Sequence, residues 1–96
     1  MTYWVYILTN KNNSVLYIGV TNNIYRRTLD HKECVNKNSF TSRYNINKLV
    51  YYKEFAEITE AIICEKKWKK WKRIWKDALI NENNPNWEDL FNDFLV

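Results

Sequence analysis

The chain is expected to fold as an α+β domain, a small three-stranded antiparallel sheet flanked by helices. Three observations predict it. Two short runs of β-branched and aromatic residues, Tyr3 to Leu8 and Val15 to Val20, flank a polar turn. A third such run, Leu49 to Phe55, follows a long polar stretch. The segments after the second and third runs change to the three-and-four spacing of amphipathic helices.

In chain order, Thr9 to Ser14 is wholly polar and joins the first two strands as a hairpin with a rather long loop. Thr21, Asn22 and Asn23 supply N-cap candidates for a helix over Ile24 to Cys34, in which Ile24, Thr28 and His31 repeat at spacings of four and three. Asn36 to Asn47 has no sustained period and is expected to be a loop. A long helix opens near Thr59, and Ala61, Cys64, Trp68, Trp71, Trp75, Ala78 and Leu79 form a stripe expected to pack on the sheet as core rather than to stack on bases. Asn83-Asn84-Pro85 breaks that helix, and Trp87 to Leu95 is expected to close the fold as a short helix with Trp87, Leu90, Phe91 and Phe94 on its apolar side.

The single glycine of the chain, Gly19, falls inside the second strand. Glycine weakens a strand, so it marks a bulge or a close approach to the backbone. Tyr17 lies two residues back on the same face. The vacant position is expected to admit groups from the following helix near Arg27.

With 96 residues, 46% hydrophobic and 17% aromatic, the chain suits one domain over residues 1–96 with one compact core. One glycine and one proline exclude low-complexity linkers, and no run of ~20 apolar residues is present to cross a bilayer. The first residues lack a signal-peptide pattern, so a cytoplasmic location is expected. Cys34 and Cys64 are too far apart for a zinc pair and read as free thiols. The net charge of +4 is concentrated in Lys66, Lys67, Lys69, Lys70, Lys72, Arg73 and Lys76, which suits either a solvated helix face or a polyanion. Lys32 and Arg43 could extend such a surface.

Arg27 and His31, four apart, share one helix face. Arg offers a charged fork suited to phosphate, and His titrates near neutral pH; taken alone, the pair reads more simply as a surface Arg beside a hydrogen-bonded His. Glu65 falls at the margin of the apolar stripe beside Lys69 and Lys72. There it suits helix salt bridges of ~0.3–0.5 kcal/mol or a single hard cation.

Taken in order, Trp4-Val5-Tyr6, Tyr17-Ile18-Gly19, Arg27, His31 and Glu65 resemble the GIY-YIG nuclease superfamily, most of all its small stand-alone bacterial members often labelled endonuclease-like. The likeness runs from about Thr2 to about Leu90. The first triplet keeps its tyrosine and lacks the glycine. The resemblance implies Tyr6 and Tyr17 as paired active-site tyrosines, Arg27 as the phosphate-binding arginine, His31 as a helper and Glu65 as the carboxylate of one Mg²⁺ or Mn²⁺ ion. Many members also use a late asparagine, and Asn81, Asn84 and Asn86 fall in that neighbourhood. The implied activity is metal-dependent hydrolysis of DNA phosphodiester bonds, structure-selective or non-specific and linked to DNA repair or processing. Branched, flapped or damaged DNA is the implied substrate, contacted by Lys32, Arg43, Lys69 and Lys72, with a possible protein partner supplying targeting. The alternative is a catalytically weak DNA-binding or protein-recruiting module on the same scaffold.

Overall fold

The strand with the longest buried run lies at the centre of the sheet. The computed structural model describes residues 1–34 and 37–95, and its strands are β1 (Tyr3–Thr9), β2 (Leu16–Thr21) and β3 (Lys48–Phe55), in the antiparallel order β2-β1-β3. Helices α1 (Ile24–Lys32) and α2 (Phe40–Arg43) lie between β2 and β3 in the chain; α3 (Ile58–Lys70), α4 (Arg73–Asn83) and a closing 3-10 turn (Leu90–Phe94) follow. The architecture is thus the expected α+β sheet flanked by helices. Asn36, within the expected loop, lies outside the described residues.

Alternation along β1 sends its side chains into two cores. Val5 and Ile7 join Ile18, Val50, Ala61, Trp68 and Ile80 beneath α3 and α4. Tyr6 and Leu8 point the other way and meet Ile24, Ile46 and Leu49, with Leu90 and Phe94 beside them. Burying an aliphatic or aromatic side chain contributes ~1.5–3 kcal/mol, so a strand enclosed on both faces is the main apolar investment of so small a domain. A bulge opposite Ile7 and Leu8 makes Val50 the extra residue of β3, because Leu8 pairs with Leu49 and Ile7 with Tyr51. Val50 and Tyr51 consequently both pack toward α3 and α4.

Gly19 pairs directly with Tyr6 across the β1–β2 ladder. A Cβ on Gly19 would stand 2.5 Å from the Tyr6 hydroxyl oxygen and 2.6 Å from its Cζ. The space left by the missing side chain therefore holds the Tyr6 ring from the neighbouring strand. This corrects the expectation that groups of α1 near Arg27 would enter it. The cause is register, since a residue directly opposite on the same face approaches more closely than the next element can.

Three further expectations change. The polar stretch before β3 contains α2, capped by Ser39, whose Oγ accepts from the Ser42 N–H at 3.2 Å. The long helix is two helices: Trp71 (φ −63°, ψ 148°) and Lys72 (φ −62°, ψ 151°) are extended between them. No proline or glycine is responsible. Like charges four apart, such as Lys66 with Lys70 and Lys69 with Arg73, disfavour a continuous helix by ~0.2–0.5 kcal/mol each. Arg73 also anchors the start of α4 by donating to the Ser14 and Asn13 carbonyls at 2.8 and 2.5 Å. Before the break Trp68 is buried at 4% exposure, whereas after it Trp75 is 54% exposed and is not core. Finally, the closing segment is a 3-10 turn rather than an α-helix. Leu90 and Phe94 still face the core, and Phe91 stacks on Tyr25.

The closing segment is held by Asn84. Its buried side chain donates to the Val50 carbonyl at 3.0 Å and the Glu88 carbonyl at 2.8 Å, and accepts from the Glu88 N–H at 3.1 Å.

Two substitutions test these contacts. Asn84→Ala leaves the Val50 and Glu88 groups unpaired and is expected to lower unfolding free energy by about 2 kcal/mol in urea titration; a loss below about 0.5 kcal/mol would show the clasp to be dispensable. Gly19→Ala is expected to cost about 1–3 kcal/mol through overpacking. Combined with Tyr6→Leu in a double-mutant cycle, it should reveal a coupling above about 0.5 kcal/mol, and strict additivity would mean that the added methyl meets something other than Tyr6.

Candidate active site

The site begins with a helix cap. The Asn23 side chain accepts from the Arg26 N–H at 3.0 Å, and its own N–H donates to Thr21 Oγ1 at 3.0 Å, which fixes where α1 starts after β2. In that helical register Ile24 and Thr28 are buried against the sheet. Arg27 and His31 flank them, one turn apart. The Tyr6, Tyr17 and His31 rings form a triangle with centroid separations of 6.3 Å (Tyr6–Tyr17), 6.1 Å (Tyr6–His31) and 5.5 Å (Tyr17–His31).

A chain of polar groups runs through this triangle. The Tyr6 hydroxyl lies 3.4 Å from His31 Nε2, and His31 Nδ1 lies 2.9 Å from Thr41 Oγ1. Thr41 is buried, its carbonyl accepts from the Ile46 N–H at 2.8 Å, and its hydroxyl is 3.2 Å from Ser39 Oγ. The imidazole is therefore gripped at both nitrogens. A cleft of about 340 Å³ opens beside it, walled by Tyr17, Arg27, Asp30, His31 and residues 39–42. Arg27 also lines a second hollow with Tyr3, Val20, Thr21 and Ile58, so its guanidinium stands where spaces beside α1 and the start of α3 adjoin.

Burial pushes the Tyr6 hydroxyl up to about 12, with Tyr17 adding to the rise; a hydrogen bond from Arg27 and its charge oppose this, and the Glu65 charge reinforces it. Tyr6 is thus a protonated donor at neutral pH, and Arg27 does not lower it enough to act as a base. His31 moves below 6.5, chiefly by burial and then by the Arg27 charge, with Asp30 partly opposing. A neutral imidazole beside a protonated phenol can accept the phenolic proton at Nε2 while Nδ1–H donates to Thr41.

Of the residues predicted from sequence, the structure brings Tyr6, Tyr17, Arg27 and His31 together. Glu65 arrives from α3 on the other face of the sheet. It is close enough for its charge to act on Tyr6 but does not line the α1 cleft. Its half-hidden carboxylate pairs with Lys69 at 3.4 Å. Among the described residues no group of three or more His, Cys, Asp or Glu side chains gathers as a metal cage. The donor set fits a hard divalent cation only in the way Mg²⁺ is commonly held, by one carboxylate with water and substrate phosphate completing the shell. Cys34 and Cys64 are free thiols.

The four residues predicted to meet nucleic acid do not form one patch. Lys32 is turned inward: it pairs with Asp89, donates to the Asn47 carbonyl at 2.9 Å and lies 5.2 Å from the Phe91 ring centroid. Arg43 is exposed at the end of α2, while Lys69 and Lys72 flank the α3–α4 break. The late asparagines are also engaged in the fold. Asn84 is spent on backbone groups, as above, and Asn81 accepts from Trp87 Nε1 at 2.6 Å; Asn86 is exposed. Thr41 and Ser39 escaped the sequence reading. The available signal was Ser39 placed three residues ahead of Ser42 as an N-cap.

Comparison with known proteins identifies the fold. The profile of the GIY-YIG catalytic domain matches residues 2–78. The solution structure of the UPF0213 protein BH0048 from Bacillus halodurans is 28% identical, superposes with a TM-score of 0.58, and is similar over 93% of each chain. No curated protein matches. With its three-stranded sheet and flanking helices, a nuclease-type fold, this chain belongs to the GIY-YIG family.

Proposed function

We propose that the protein is a metal-dependent DNA endonuclease that hydrolyses phosphodiester bonds at the Tyr6–Tyr17–Arg27–His31 cluster. The family match favours a nuclease acting on DNA. The observation that carries the reading is the contact chain from Tyr6 through neutral His31 to buried Thr41, with Arg27 beside the Tyr6 hydroxyl.

In this mechanism Arg27 binds the scissile phosphate with its charged fork and stabilises negative charge on the equatorial oxygens. Tyr6, protonated at rest, orients the attacking water and passes its proton to His31 Nε2 as it accepts one from the water. Thr41 holds the imidazole so that Nε2 faces Tyr6. Tyr17 walls the cleft and excludes solvent from one side of the phosphate. Glu65 would hold a Mg²⁺ or Mn²⁺ ion, which when bound would supply Lewis-acid stabilisation to charge on the leaving oxygen. The proposed substrate is branched, flapped or damaged DNA encountered in repair or processing in the cytoplasm, with a partner protein supplying targeting.

Arg27→Ala and Glu65→Ala are each expected to reduce nicking at least about a hundredfold without altering the circular dichroism spectrum. Wild-type-like cleavage by either purified variant would sink the catalytic assignment, and DNA binding without cleavage by the wild type would favour a recruiting module.

The pH dependence follows from His31. Its neutral form is the proton acceptor, and its folded pKa lies below 6.5. Activity is thus lost as pH falls through the folded value, so the acid limb of kcat/KM should lie below pH 6.5; a limb at pH 7 or higher contradicts the role. Thr41→Val is expected to lower kcat about ten- to a hundredfold, and Thr41→Ser should recover most of it.

A further inference from the structure

The α3–α4 break leaves an aromatic surface that the α1 cleft does not use. Trp71, Trp75, Ala78, Leu79 and Glu82 line an open groove of about 450 Å³. Trp75 is 54% exposed and the adjacent Ile74 69% exposed, although residues this apolar are normally covered in so small a domain. Trp75 meets Trp71 edge to face at a centroid distance of 6.3 Å, and Lys67 Nζ lies 5.6 Å from the Trp71 ring centroid.

The helix junction beside the groove is rich in lysine, while the charged residue that lines the groove itself is Glu82. Residues 66–76 hold seven basic side chains and no acidic one. Lys69 is paired with Glu65 and Arg73 with Asp77. Lys66, Lys67, Lys70 and Lys72 have no carboxylate partner among the described residues. Lysine is depleted from the cores of protein–protein interfaces, whereas clustered lysine beside exposed aromatic rings is how single-stranded nucleic acid is held. Duplex bases are stacked on each other and offer no free face to an indole.

We propose that this face binds single-stranded DNA, with a base stacked on Trp75 and the flanking phosphates met by Lys67, Lys70 and Lys72. Glu82, which lines the groove, repels phosphate, so the proposed strand path keeps to the side of Trp71 on which Lys67 lies. The choice of DNA rests on the nuclease reading above. A protein with both sites would grip an unpaired strand on α4 while presenting a phosphate to Arg27, which selects substrates containing a flap or gap.

The test is tryptophan fluorescence titration of the full chain with a short oligothymidylate. Quenching is expected, with Trp75→Ala weakening affinity about tenfold or more, Trp75→Phe retaining most of it, and Lys70→Gln with Lys72→Gln flattening the salt dependence. Binding unchanged in Trp75→Ala, whose fold is checked by circular dichroism, overturns the proposal. So does a concentration-dependent dimer that Trp75→Ala dissociates, or groove binding of an acidic amphipathic peptide without quenching by oligothymidylate. The two readings fail separately. Nicking of DNA by wild type without oligothymidylate binding removes the α4 site alone, and binding without nicking removes the nuclease reading alone.

Discussion

The close approach of Tyr6 to Gly19 is the constraint on which the site depends. Tyr6 belongs to the central strand, and its ring occupies the volume that any side chain at the paired position would fill. The hydroxyl is thereby carried across β2 toward α1, where His31 and Arg27 wait. A larger residue at Gly19 would displace the ring and with it the partner of His31 Nε2. Core packing and site geometry are here a single arrangement.

Around that arrangement a few polar side chains tie distant segments together. Asn84 joins the end of α4 to β3, Asp89 accepts from the Leu49 and Phe91 N–H groups while pairing with Lys32, and Arg73 reaches the β1–β2 loop. These ties explain why Lys32 is unavailable as a phosphate contact.

Much of the fold was legible in the residues, because the strands and α1 are governed by local pattern: alternating apolar runs, a polar turn, an asparagine cap. Tyr6, Tyr17, Arg27 and His31 were legible as a set through the family likeness and came together as their elements implied. What remained hidden depends on contacts distant in sequence. The break at Trp71 involves Arg73 and carbonyls some 60 residues earlier, and no local signal marks it. Thr41 acquires its place from His31 and Ile46, and a four-residue helix is too short to show a period. The occupant of the gap at Gly19 was a matter of strand register, which the hairpin's long loop leaves open.

The order of the strands in space has a consequence for the order of events in folding. β1 and β2 are neighbours in sequence, but β3 must return from some 40 residues away to pair with the opposite edge of β1. The hairpin and α1 together hold Tyr6, Tyr17, Gly19, Arg27 and His31, so these can approach one another through short loop closures before β3 has left the ribosome. β3 and α3 come later in the chain, the one pairing with the opposite edge of β1 and the other carrying Glu65. The tyrosines, Arg27 and His31 are therefore all made within the first third of the chain, and Glu65 joins them only after β3 has been made.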